Sequence, residues 1–239
     1  MNLIKKTALI TGACNGIGEA TALAFAREGT QLILISNNKN RLEATIKKIA
    51  LFGVKATSFV VDIADDARLQ ELLENAYLKH GRIDILVNCA GIFLQKKITD
   101  MTVKEWKYLI DVNLTGTFVC CNYIIPKMIE QKEGLIFNFS SIGGKIGLKE
   151  KSAYCASKFG VVGLSKALAK ELKPFGIKVH IVYPYLVDSE KQINWDSPDC
   201  DECGILKVED VANMIVYMAK LPKRVYVEDV EIKPYLYSK

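Results

Sequence analysis

Apolar residues along this 239-residue chain gather in short, mostly non-alternating runs, and the stretches between them carry apolar positions at helical spacing. Residues 7–10, 31–35, 55–61, 83–87, 134–139 and 178–182 read as strands, and 230–232 as a seventh. Residues 18–28, 39–52, 67–80, 103–130, 152–172 and 208–221 read as helices. A strand apolar at successive positions is covered on both faces, as in a parallel sheet. Strand and helix alternating through short connections build right-handed βαβ units. The expected fold class is therefore α/β: a doubly wound, mostly seven-stranded parallel sheet with helices on both faces, formed by residues 1–239 as a single domain. Residues 188–206 break the pattern and read as a surface loop or short insertion. Ligands of such sheets bind at the carboxyl ends of the strands, so the residues just past each strand are the first candidates for function.

Composition sharpens this picture by exclusion. With 50% hydrophobic and 25% charged residues, the chain has an ordinary globular balance and enough length to bury a core without staples. The net charge of +5 is spread along the chain and forms no basic stripe, so no nucleic-acid partner is expected. No apolar run reaches the roughly 18 residues of a membrane span, and the N-terminus lacks the pattern of a secretory signal. The seven cysteines, an odd number with several inside apolar runs, fit free thiols and a cytoplasmic location better than a disulfide framework. Cys200 and Cys203 form a single Cys-x-x-Cys with no second pair or spaced histidine, so no metal is expected. His80, at a helix end, and His180, within a strand, read as structural.

The first strand runs into Thr11-Gly12-Ala13-Cys14-Asn15-Gly16-Ile17-Gly18. Glycines in the first βα turn let backbone N–H groups approach a pyrophosphate, and the following helix points its positive end there. The spacing is Gly-x-x-x-Gly-x-Gly, and a turn that only closes the strand-helix corner is the alternative. Tyr154 and Lys158 stand four residues apart, hence on one face of a helix. An ammonium near a phenol lowers the phenol's pKa from about 10, towards the range of general acid-base work. Taken alone, such a pair is as readily two surface residues.

Other motifs join these two in order. Asp62 ends the third strand, Asn88-Cys89-Ala90-Gly91 follows the fourth, Asn113 lies in the long helix, and Asn138-Phe139-Ser140-Ser141 ends the fifth. Over residues 7 to about 232 the chain resembles the short-chain dehydrogenase/reductase family, notably 3-oxoacyl-acyl-carrier-protein reductases and small NADP-linked reductases. The resemblance implies a Rossmann-type dinucleotide-binding and catalytic domain. It implies an oxidoreductase that moves hydride between a nicotinamide cofactor and a carbonyl or alcohol. By position, Tyr154 would exchange the proton, Lys158 would hold the nicotinamide ribose and tune Tyr154, Ser141 would orient the substrate oxygen, and Asn113 would hold a relay water. The family spacing prefers Ser141 over Ser140. Gly12, Cys14, Asn15, Gly16, Ile17 and Gly18 would form the dinucleotide floor. Asp62 and Ile63 would meet the adenine, Asn88, Ala90 and Gly91 would line the adenosine side, and Pro184, Val187 and Ser189 the nicotinamide side.

After the second strand the chain reads Ser36-Asn37-Asn38-Lys39-Asn40-Arg41, with no acid to repel a 2′-phosphate. Ser36, Asn37 and Arg41 therefore favour NADP(H), with NAD(H) as the alternative. After the sixth strand the family's Pro-Gly is Pro184-Tyr185 here, so the Tyr185 ring either enters the cleft and narrows substrate choice or turns outward onto the following loop. The implied partners are a small carbonyl or alcohol substrate, possibly carried on an acyl carrier, and a second copy or more in a homodimer or homotetramer. A catalytically silent cofactor sensor or scaffold is the alternative function.

Overall fold

The computed structural model describes residues 2–188 and 205–235. Seven strands form one parallel sheet: β1 (Thr7–Thr11), β2 (Gln31–Ser36), β3 (Ala56–Val60), β4 (Ile85–Asn88), β5 (Gly134–Phe139), β6 (Ile177–Pro184) and β9 (Asp229–Ile232). Their order is β3-β2-β1-β4-β5-β6-β9, and every pairing is parallel. Two short strands, β7 (Val187–Asp188) and β8 (Leu206–Lys207), pair beside it. Helices α1 (Gly16–Arg27), α2 (Lys39–Ala50), α3 (Asp66–His80), α4 (Val103–Ile110), α5 (Gly116–Gln131), α6 (Ser152–Leu172) and α7 (Val208–Lys220) connect the strands.

Alternate residues of a single strand feed two separate cores, which is why the strands are apolar throughout. Ala8 and Ile10 join Phe25, Leu42, Ile49 and Ile215 on the α1, α2 and α7 face. Leu9 joins Leu69, Leu73, Ile124 and Met128 on the α3 and α5 face. Local signals set the helix ends. Asn38 and Asp65 cap α2 and α3 by accepting from the Arg41 and Arg68 N–H groups. Thr102 and Glu105 make a reciprocal capping box on α4. Gly81 ends α3 at a φ of 71°, where a side chain would be strained.

The single long helix expected over 103–130 is interrupted. Between α4 and α5 the segment Asp111–Thr115 winds as a π-helix. The whole rod, Val103–Gln131, is long and apolar enough to cross a membrane by length and composition. Its apolar residues Val119, Cys120, Ile124 and Met128 are instead spent in the core beneath the sheet.

The register brings the strand ends Thr11, Asn88 and Asn138 into one row, and the order reverses direction between β1 and β4. That reversal opens a crevice at the carboxyl edge. The opposite edge is tied by charge. Asp84, 1% exposed, accepts from Lys6 Nζ at 2.9 Å, from Thr7 N–H at 3.0 Å and from the Arg82 guanidinium. Lys6 also reaches Glu133, and Lys223 pairs with Glu133 from outside.

Candidate active site

A cleft of about 910 Å³ runs along the carboxyl edge, within the range of small-molecule sites. Its floor is the β1–α1 turn. Gly12 has a φ of +70°, and a Cβ there would meet Ala90 Cα at 2.8 Å. A Cβ on Gly18 would meet the Gly12 carbonyl oxygen at 2.2 Å, so the helix can approach the turn only because position 18 has none. Gly12, Cys14, Asn15 and Ile17 line the cleft, whereas Gly16 and Gly18 support it from behind. The Asn15 carbonyl accepts from Glu19 N–H at 3.2 Å, but its side chain forms no cap bond to the first-turn N–H groups of α1. Thr11 Oγ1 accepts from the Cys89 and Ala90 N–H groups at 3.1 Å each and stitches the two sides of the crevice together.

Ser36, Asn37 and Arg41 line one end of the cleft, joined by Asn38. Lys39 does not line it, and lies 4.0 Å from Glu43 along the helix. Asp62 and Ile63 line the neighbouring wall, with Ala90 and Gly91 opposite. Asp62 accepts from Ala64 N–H at 3.1 Å and from the Tyr108 hydroxyl at 3.1 Å. Tyr108 also lines the cleft, a place nothing in its surrounding sequence indicates.

At the other end stand Ser141, Tyr154 and Lys158. Helix α6 presents Tyr154 and Lys158 one turn apart on one face. Lys158 is 5% exposed and donates from Nζ to the Phe139 carbonyl at 2.8 Å. Its Nζ lies 5.8 Å from the centre of the Tyr154 ring. Ser141 lines the cleft with Tyr154, and its Oγ accepts from Gly143 N–H at 3.3 Å. Ser140 turns away and donates to the Lys158 carbonyl at 3.1 Å. The expected direction of the phenol's pKa is reversed. Burial raises it, the Ser141 hydroxyl pulls it back only in part, and the neighbouring Cys155 adds to the rise. The phenol is therefore held protonated at neutral pH.

Asn88 takes a place other than the one expected, and Asn113 has fixed partners in the fold. Asn88 does not line the cleft; it is 2% exposed, and its Nδ2 donates to Asn138 Oδ1 at 2.8 Å and to Cys121 Sγ at 3.4 Å. It bridges β4 to β5 below the floor. Asn113 is 1% exposed, inside the π-helix. Its Oδ1 accepts from Ile92 N–H at 2.8 Å, and its Nδ2 donates to the Ile92 carbonyl and to Ser157 Oγ, each at 3.0 Å. It thus clamps the segment after β4 onto α6. Pro184, Tyr185, Leu186 and Val187 line the cleft after β6, while Ser189, Cys200 and Cys203 lie outside the described residues. Tyr185 faces the cleft, and its hydroxyl donates to Glu231 Oε2 at 3.3 Å. Phe93, Gln95 and Phe139 also line the cleft without any signal in the sequence. Among the described residues no cluster of side chains fits a metal ion.

The family described as short chain dehydrogenase matches residues 6–199. An uncharacterized oxidoreductase of Staphylococcus aureus is 34% identical over 232 residues, spanning 97% of this chain and 98% of that protein. The 3-oxoacyl-(acyl-carrier-protein) reductase FabG of Thermotoga maritima is 39% identical over 189 residues, 79% of this chain and 77% of that protein. A metagenomic short-chain oxidoreductase solved in complex with NADP superposes with a TM-score of 0.87 at 28% identity, over 99% of this chain and 100% of that one.

Proposed function

The chain belongs to the short-chain dehydrogenase family and is an oxidoreductase by that membership, and we propose that it is an NADP-preferring carbonyl reductase or alcohol dehydrogenase whose proton is exchanged by Tyr154. The observation that carries this reading is the half-buried Tyr154 phenol in the cleft beside Ser141, with Lys158 one helical turn away. A bound nicotinamide supplies or accepts the hydride. The protein's share is geometry and proton transfer. Ser141 and Tyr154 would together hold the substrate oxygen, and the protonated phenol would donate as negative charge grows there. Lys158, released from the Phe139 carbonyl, would hold the ribose and steady the phenolate left behind. Asn113 would position Ile92 and α6, with a water relay to Lys158 as its further role.

The donors fit a dinucleotide. The uncapped start of α1 and the Gly12 turn would take the pyrophosphate, and Asp62, Ile63, Ala90 and Gly91 would take the adenosine. At the ribose end Ser36, Asn37, Asn38 and Arg41 offer donors and a cation, and among the described residues no carboxylate lines that end. This favours a 2′-phosphate, as does the NADP held by the metagenomic relative, with NAD(H) as the weaker cofactor. The Thermotoga relative supports a 3-oxoacyl thioester, carried on an acyl carrier, as the substrate. We also read residues 1–239 as a single, cytoplasmic domain that assembles into a homodimer or homotetramer. Trp106, Phe118 and Phe159, exposed on α4, α5 and α6, supply an apolar face for that assembly.

Carbonyl-dependent oxidation of NADPH by the purified chain tests this. NADPH should be preferred over NADH by about 10- to 100-fold in kcat/KM, the worth of one or two charge-assisted hydrogen bonds. Tight binding of NADPH with no turnover on a broad carbonyl panel would mark a cofactor sensor instead.

A further inference from the structure

We infer that Phe93 and Tyr185 are the two walls that select the substrate, and that they select uncharged carbonyl compounds with apolar flanking groups; this rests on the oxidoreductase reading above. Both rings line the cleft that holds Tyr154 and Ser141. Phe93 meets the Tyr154 ring edge to face, with centroids 5.1 Å apart and planes at 73°. Lys151 Nζ lies 5.2 Å from the Phe93 ring centre. The ring still remains 46% exposed. A phenylalanine left half open in a concave site, against the reacting phenol, has its free surface where a substrate must pass.

Tyr185 is held from two sides. Its N–H donates to the Ile232 carbonyl at 3.0 Å, and its hydroxyl reaches Glu231 Oε2 at 3.3 Å. Glu231 is itself bound by Lys145, just past the Ser141 turn. The ring is therefore a fixed wall, and Glu231 is its positioning residue.

Charge decides the class. Among the described residues, the cations lining the cleft are Arg41 and Lys158. Arg41 stands with Ser36 and Asn37 at the far end, and Lys158 donates to Phe139 beneath Tyr154. Lys145 and Lys151 turn to Glu231 and to the Phe93 ring and do not line the cleft. Among the described residues Lys158 is the cation beside Tyr154, and it is engaged by the Phe139 carbonyl and, in the reading above, by the ribose, so a carboxylate flanking the reacting carbonyl would lose its water against aromatic rings without a described cation to replace it. An ester or thioester of the same shape carries no such penalty.

The test is steady-state reduction of shape-matched pairs by the full chain with NADPH: acetoacetamide against acetoacetate, and pyruvamide against pyruvate. The uncharged member should have kcat/KM at least about tenfold higher in both pairs. Phe93→Ala should raise KM for ethyl acetoacetate about tenfold with a much smaller change in kcat, and Phe93→Leu should recover most of the loss. Tyr185→Ala should shift the preference about tenfold towards benzyl acetoacetate, with Tyr185→Phe and Glu231→Gln intermediate. Equal use of the charged member, or variants with unchanged KM and unchanged preference, overturns the selection while leaving the oxidoreductase reading intact. Absence of turnover with every member overturns both.

Discussion

At Tyr154 burial and the Ser141 hydroxyl act in opposite directions, and burial prevails. A protonated phenol at neutral pH is an acid, ready for carbonyl reduction, while alcohol oxidation needs its conjugate base. The four-residue spacing of Tyr154 and Lys158 was legible in the sequence because a helix face is a local property. The balance at the phenol was not, because it depends on Ser141 and on depth, both set by the fold. His180 makes the same point in the core. It is 1% exposed, stacks on Phe137 with centroids 4.6 Å apart, and donates from Nδ1 to the Val227 carbonyl. Burial lowers its pKa from 6.5 to about 4. The unfolded chain therefore binds the extra proton first, and stability falls as pH drops from about 6.5 to about 4, by roughly 3 kcal/mol in all. Glu133, whose pKa is held down at about 2 by Lys223 and Lys6, contributes its loss only below about 4.5. Thermal melting from pH 7.5 to 4 should show a decline that His180→Asn flattens. An unchanged slope in the variant would remove His180 as the cause.

At the scale of elements, strand apolarity and strand-helix alternation are local patterns, so the seven strands and their parallel sheet were legible from the outset. The π-helical segment of the long helix was not, because the contacts made from it by Asn113 are with residues distant in the chain. The π-helix Asp111–Thr115 carries Asn113, which grips Ile92, twenty-one residues earlier, and Ser157 on α6. Asn88 was misplaced for a like reason, since its partner Asn138 lies fifty residues on. The π-helix thus serves as the joint that sets the segment carrying Phe93 against Tyr154. Asn113→Ala takes the side-chain partner from the part-buried Ile92 N–H and carbonyl and leaves Ser157 Oγ only the Tyr154 carbonyl, and it should cost about 1–3 kcal/mol in denaturant unfolding. The same variant should lower kcat with ethyl acetoacetate, as the Phe93 segment loosens. A variant with unaltered stability would show that the clamp carries no weight.

At the scale of the molecule, the two edges of the sheet divide the labour. The amino edge is closed by the buried Asp84 and its cations, drawn from positions 6, 82 and 84 and reinforced through Glu133 and Lys223. The carboxyl edge stays open where the strand order reverses, and the chemistry-bearing side chains gather there. The glycine turn, Tyr154, Lys158 and Ser141 could be placed from their motifs, whereas Tyr108, Phe93 and the fixed pose of Tyr185 emerge only when distant segments meet. Proton transfer through Tyr154 at this edge is tested by NADPH oxidation with the best carbonyl substrate, wild type against Tyr154→Phe. The variant should keep its fold and its NADPH affinity and lose about 10²- to 10⁴-fold in kcat. A folded, cofactor-binding Tyr154→Phe protein that turns over within a few-fold of wild type would contradict proton transfer through Tyr154.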